Sequence, residues 1–163
     1  MYSNDLTRTI EASREHENLI GALVRSTAVI EFDLGGHVLT ANDRFLNAMG
    51  YSLAQIKGKH HRTFCEPEEY NSAAYQQFWK RLNSGEFVAG RFKRLDSNGR
   101  EVWLEASYNP VVDANDRLYK VVKFATNITD QVNQEKKPSL MRPASPTAPR
   151  CRPTTPPSAA RRW

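Results

Sequence analysis

Two adjacent histidines, His60 and His61, are the side chains in this sequence best suited to hold a metal. A neutral imidazole is a good ligand for iron when its second nitrogen has a partner to fix it. Adjacent residues on a helix project about 100° apart, so at most one of the pair can face a given pocket. His16 and His37 fall in a polar helix and beside a turn, where solvation is expected. The cysteines Cys65 and Cys151 form no Cys-x-x-Cys or zinc spacing and read as reduced thiols. Glu66, Glu68 and Glu69 flank Pro67 and read as a solvated surface loop rather than a catalytic carboxylate set. No Gly-x-Ser-x-Gly elbow, phosphate-binding glycine loop or His-Glu-x-x-His helix occurs, so the residues predict binding rather than catalysis.

The 163 residues carry a net charge of +5, and that excess is localised. From Pro138 onward there are five arginines, no lysine and no acid; removing those five from 23 basic residues leaves 18 against 18 acids in the body. A neutral body gives no electrostatic reason to expect nucleic acid. The same tail holds seven of the nine prolines and few large apolar side chains, which predicts a disordered segment. No stretch approaches the roughly 18 apolar residues of a membrane span, and the first residues show no secretory pattern.

The elements that must position the histidines are legible from periodicity and turn chemistry. Asn4 to Arg25 reads as an amphipathic helix with Leu6, Ile10, Ile20, Leu23 and Val24 near one face. Ala28 to Asp33 and His37 to Ala41 read as a hairpin around Gly35-Gly36. Asn42 or Asp43 can cap a short helix that ends at Gly50, and further short helical pieces follow around Leu53 to Ile56 and His60 to Phe64. Asn71 to Asn83 is the longest internal helix, with Tyr75, Phe78, Trp79 and Leu82 at helical spacing. Three strands close the pattern, at about 87–95, 100–110 and 118–126. The order predicts an α+β domain: one five-stranded antiparallel sheet with short helices packed on one face, flanked by N- and C-terminal helices. Alternation in the middle strand sends Val102, Leu104, Ala106 and Tyr108 to the core. It sends Trp103 to the other face, where the N-terminal helix or a second subunit is expected to cover it.

Four stretches then carry a resemblance: Ala28 to Asn42, Phe45 to Tyr51 leading to Ile56 to His61, Ser107 to Asp113, and Lys120 to Thr129. In order, turn placement and spacing they resemble a PAS sensory domain, in particular the cytoplasmic PAS domains of bacterial methyl-accepting chemotaxis receptors. The resemblance implies an N-terminal linker or cap helix over 1–25, the sensory domain over 26–131, and a short outgoing helix and tail over 132–163. It implies a cytoplasmic signalling module, a homodimer or a PAS-containing partner, and a pocket between helices and sheet for a small-molecule ligand. Haem is the cofactor it favours, with His61 ahead of His60 as axial ligand and Trp79 beside them, although Trp79, Tyr75 and Phe78 also read as core. Flavin is less favoured. In the light-oxygen-voltage type a reactive cysteine lies inside the helix, whereas Cys65 is displaced by about a turn; flavin-adenine sensors carry a tryptophan where this chain has Phe87 to Gly90. A ligand-free dimerisation module is the alternative function. PAS domains commonly end in Asp-Ile-Thr, and here Asn127 replaces the acid. Asn127, Thr129, Asp130 and Trp103 are the implied relay residues, with Asp130 or Thr129 capping the outgoing helix.

Overall fold

The computed structural model describes residues 3–137. The proline- and arginine-rich tail, with Cys151 and the expected disorder, lies outside the described residues. A long helix α1 (Ser3–Ser26) leads into the hairpin β1 (Ala28–Phe32) and β2 (Val38–Ala41). Four short elements follow: α2 (Asp43–Met49), α3 (Leu53–Ile56), a 3-10 turn (His61–Phe64) and α4 (Pro67–Tyr70). Then come α5 (Ala73–Asn83), β3 (Val88–Leu95), β4 (Glu101–Val112), β5 (Leu118–Asn127) and α6 (Thr129–Lys136). The five strands form one antiparallel sheet in the order β2-β1-β5-β4-β3, so the first hairpin docks through β1 on the last strand.

The alternation in β4 buries Val102, Leu104, Ala106 and Tyr108 and leaves Glu101 and Glu105 exposed, as period-two patterning requires. Helix α5 lays Tyr75, Phe78, Trp79 and Leu82 on that inner face, and Leu82 alone, fully buried, contributes about 1.5–3 kcal/mol. Its start is fixed by Ser72, whose hydroxyl accepts from the Tyr75 N–H at 3.1 Å. Gly36, with φ of +85°, closes the β1–β2 turn against the Trp79 ring, where a Cβ would stand 3.0 Å from the indole and 2.8 Å from His60 Nε2.

Asn42 is the N-cap of α2 and does more than cap. Its Oδ1 accepts from the Phe45 and Val29 N–H groups, and its Nδ2 donates to the carbonyls of Val24 and Thr27 at 2.9 and 2.8 Å. One amide thereby ties the end of α1 to β1 and α2. At the other end of the sheet, Asn127 Oδ1 accepts from both the N–H and the hydroxyl of Thr129. The N-cap position of α6 belongs to Ile128, and Asp130 is exposed inside the first turn. The expected capping by Asp130 or Thr129 is therefore replaced by a turn that Asn127 closes; Asp130 is left to complement the helix dipole.

Trp103 corrects another expectation. Within this chain it is α6, not α1, that folds back onto β4 beside it, with Lys136 Nζ 5.2 Å from the ring centroid. The Ile128 N–H donates to the Trp103 carbonyl at 2.8 Å, and the Trp103 N–H donates to Thr129 Oγ1 at 3.0 Å. These two bonds hold α6 to the sheet because the β5–α6 junction continues the ladder for one more residue.

Candidate functional site

The interior between helices and sheet holds a polar cluster inside an aromatic shell. His61 is fully buried and Arg94 and Lys123 are each 2% exposed; the two cations come from the inner faces of β3 and β5, with Tyr108 of β4 between them. His60 points outward, its ring 5.3 Å from His37, and its Nδ1 accepts from the Arg62 N–H. Burial first, then Arg62 and His37, lower the pKa of His60.

His61 is engaged at both nitrogens. Nδ1 lies 2.9 Å from the Tyr75 hydroxyl and Nε2 lies 3.1 Å from the Tyr108 hydroxyl. Arg94 Nη2 donates to Tyr108 Oη at 3.3 Å, so the Tyr108 proton is directed to Nε2. That choice makes His61 a neutral ring with its proton on Nδ1, donated to Tyr75 Oη. Burial, then the charges of Arg94 and Lys123, push its pKa well below the ordinary range, in keeping with a neutral ring. Burial also pushes Tyr108 up to about 12 and the Cys65 thiol up to about 11.

Arg94 is held by a residue that the sequence placed in a solvated loop. Glu69 Oε1 and Oε2 both accept from Arg94 Nη1, at 2.9 and 3.0 Å, and Nη1 also donates to the Lys93 carbonyl. Glu66 likewise pairs with Lys93 Nζ at 2.7 Å, while Glu68 is exposed. The carboxylates of α4 are thus partners of β3, correcting the solvated reading for two of the three. Arg94 Nε is buried and has no acceptor among the described residues. Lys123 Nζ sits 4.8 Å from the Tyr108 centroid and 5.9 Å from that of Phe45, with no carboxylate beside it among the described residues. Burial first, then Arg94, drive its pKa well below that of a free lysine.

The residues present do not fit haem in this arrangement. Ligation by His61 would break a bond to Tyr108 or Tyr75, at about 1–3 kcal/mol for each buried group left unpaired. A planar macrocycle would also displace rings packed on the imidazole, among them Phe32 at 5.3 Å, Trp79 at 5.5 Å and Tyr108 at 5.6 Å. Trp79 is part of that packing, edge-on to Phe32 and Phe78. Phe45, Phe64, Tyr108 and Lys123, all fully or almost fully buried, line the rest of this interior. Cys65, with its raised thiol pKa and Sγ 3.5 Å from His61 Nδ1, is poorly disposed to act as a nucleophile. No group of three or more potential metal ligands occurs among the described residues.

Of the sequence-predicted residues, the structure sets both His61 and His60 against Trp79, at 5.5 and 6.1 Å between ring centroids, with His61 fully buried and His60 partly exposed. It joins Asn127, Thr129 and Trp103 in one junction, with Asp130 apart. The sequence reading missed Asn42 as a tie, Arg94, Glu69 and Lys123. The alternation of Val88, Phe92 and Arg94 in β3 is a signal that could have found Arg94; the alternation of β5 offers none for Lys123.

Comparison with known proteins agrees with this architecture. The family profile described as the PAS fold matches residues 38–125. The biofilm dispersion protein BdlA of Pseudomonas aeruginosa is 49% identical over 133 residues, which is 82% of this chain and 32% of that protein. The aerotaxis receptor of Escherichia coli is 28% identical over 106 residues, 65% of this chain and 21% of the receptor. The chain thus spans about a third and a fifth of the length of these curated relatives. A solved PAS domain from Colwellia psychrerythraea superposes with a TM-score of 0.57 at 21% identity, covering 64% of this chain and 87% of that one. A light-oxygen-voltage domain studied with a flavin analogue gives 0.61 at 18% identity, covering 72% and 90%. At these identities the two structures speak for the fold alone. No helix of the described residues is long and apolar enough to cross a membrane.

Proposed function

The chain belongs to the PAS family, and from that premise we propose that it is the sensory module of a chemotaxis-related signalling protein, binding and relaying rather than catalysing. Residues 26–131 form the sensing unit, α1 the incoming linker and α6 the outgoing one, in a cytoplasmic setting. The observation that carries this reading is the pair of side-chain ties. Asn42 links α1 to the sheet, Asn127 and Thr129 link α6 to it, and the inner face of that same sheet bears the buried polar cluster.

The path is short. Arg94 pairs in register with Val102 and Lys93 with Trp103, whose backbone N–H and carbonyl hold the start of α6. A shift of Arg94 acts one residue from that junction, so the interior and the outgoing helix share a strand segment on which both can act. His61, engaged at both nitrogens, reports on Arg94 through Tyr108 rather than through iron.

The test perturbs the interior and reads the helices. Tyr108→Phe removes the hydroxyl between Arg94 and His61 and costs about 1–3 kcal/mol. Hydrogen exchange of the Ile128 and Val132 amides is expected to accelerate more than that of Leu82, which is equally buried but off the path. Uniform acceleration, matching the global loss of stability, removes the relay.

A dimeric assembly is a second reading, favoured by one observation: Leu6, Ile10, Leu19, Ile20 and Leu23 of α1 are each at least half exposed. Such a stripe suits the same helix of another copy. Light scattering of an Ile20→Glu, Leu23→Glu variant should then report a halved mass.

A further inference from the structure

Beside Arg94 lies a cleft of about 210 Å³ between α4, α5 and β3, walled by Ser72, Tyr75, Phe78 and Phe92 and closed by the Glu69–Arg94 pair. We propose that this cleft binds a small organic carboxylate with an apolar body, whose acid group replaces Glu69 on Arg94. The inference rests on the sensory reading above and names the ligand class for it.

Three observations meet here. First, Arg94 is 98% removed from solvent, and both oxygens of its one carboxylate partner, Glu69, accept from the single nitrogen Nη1. A ligand carboxylate on Nη1 in place of Glu69 keeps the charge-assisted hydrogen bonds that a buried guanidinium requires. Second, the occupant of that position is exchangeable. Glu69 keeps about a third of its side chain in water, on a four-residue helix with no buried residue. A cation in the core with its counter-charge on a thin surface segment is the arrangement in which an outside anion competes well. Third, the walls are aromatic. Phe78 and Phe92 stand 6.3 Å apart between centroids, and the Arg94 guanidinium lies 5.1 Å from the Phe92 centroid. Apolar walls leading to one cation select an acid with an apolar body over a fully hydrated anion. The volume holds a molecule of benzoate size and excludes a peptide segment.

Exchange at this point also reaches the helices. Releasing Glu69 removes one of the two ion pairs that tie this segment to β3, the other being Glu66 with Lys93, and Arg94 is one residue from the position that pairs with Trp103.

Benzoate is the probe, titrated into the full chain by calorimetry, with benzamide, acetate and inorganic phosphate as comparators. Binding of benzoate, with weaker or no binding of the comparators, is expected. Glu69→Gln removes the competing carboxylate and should tighten benzoate by about tenfold, since the closed pair lowers the competent fraction. Arg94→Gln should abolish binding. Because that variant can lose its fold, Ala74→Trp, at an exposed position on the cleft wall, supplies a second loss-of-binding test. Benzamide binding as well as benzoate, phosphate binding better, or benzoate affinity unmoved by both Glu69→Gln and Ala74→Trp would overturn the proposal. No benzoate binding, alongside selective loosening of α6 in Tyr108→Phe, sinks the carboxylate site and leaves the relay. Benzoate binding with Ile128 exchange unchanged keeps the site and removes its link to the relay.

Discussion

Replacing Lys123 by methionine should stabilise the domain by an amount that shrinks as the pH rises. Lys123 stands on the inner face of β5, opposite Ile30 on one side and Tyr108 on the other, with no carboxylate partner among the described residues. Burial and the charge of Arg94 hold its pKa well below the ordinary lysine value. Between the native and the unfolded pKa, the unfolded chain holds a proton that the native chain has shed. The stability of the wild type therefore rises with pH across that window, by about 1.4 kcal/mol per unit, and levels off near the unfolded value of about 10.4. Methionine fills similar volume against Phe45 and Tyr108 and carries no proton to shed. The advantage of Lys123→Met is greatest at the acidic end of the window and closes by about 1.4 kcal/mol per pH unit. Urea unfolding followed by far-ultraviolet circular dichroism at pH 7.5, 8.5 and 9.5 measures the gap directly. The Cys65 thiol, pushed up to about 11, also changes stability at high pH, and a Cys65→Ser background in both proteins removes its coupling to Lys123 from the difference. A gap that stays constant, or widens with pH, would show that Lys123 is charged in the folded state and would refute the burial argument.

Two further substitutions probe the frame around the cluster. Asn42→Ala removes four hydrogen bonds at the junction of α1, β1 and α2 and should cost about 2–3 kcal/mol, with faster amide exchange over residues 20–26 as the selective readout. Gly36→Ala places a Cβ 2.8 Å from His60 Nε2 at a left-handed backbone position; thermal unfolding should show a loss of about 1–3 kcal/mol, and an unchanged midpoint would mean the turn relaxes freely.

The frame was readable because it is built from local rules. Asn42, Gly50 and Gly36 are turn and cap residues at the offsets such features demand, and β4 alternates cleanly, whereas the helix read from Asn71 starts at Ala73 behind the Ser72 cap. The site was less legible because its members violate those rules or meet over distance. In β5, period two gives one set of Val121, Lys123 and Ala125 and another of Lys120, Val122 and Phe124. On hydrophobicity alone the second set is the better core. The structure buries the first, since pairing with Ala28, Ile30 and Phe32 of β1 fixes the register. Glu69 and Arg94 are separated by all of α5, and nothing local distinguishes Glu69 from its neighbour Glu68. The cover over Trp103 depended on the ladder running through Ile128 into α6, which no propensity encodes.

The placement of these exceptions bears on function. Two cations on the inner face of one sheet, with a single carboxylate reaching them from the rim, are a poor way to stabilise a domain. Apolar residues of similar volume are often neutral or stabilising by about 1–4 kcal/mol in place of buried ions. That is a sizeable fraction of a typical stability of about 5–15 kcal/mol. If the charges served only to fix the fold, they could stand anywhere in the core. Arg94 stands instead beside a strand position that holds α6, pairing with Val102 next to Trp103, while Lys123, farther along the sheet, pairs with Tyr108, which bonds both Arg94 and His61. On the relay proposed above, interior free energy that depends on charge and proton occupancy would be coupled to the packing of a terminal helix. Variants that make the core apolar should therefore gain stability while losing the dependence of α6 exchange on the state of the interior, and a variant that gained one while keeping the other would separate the two properties.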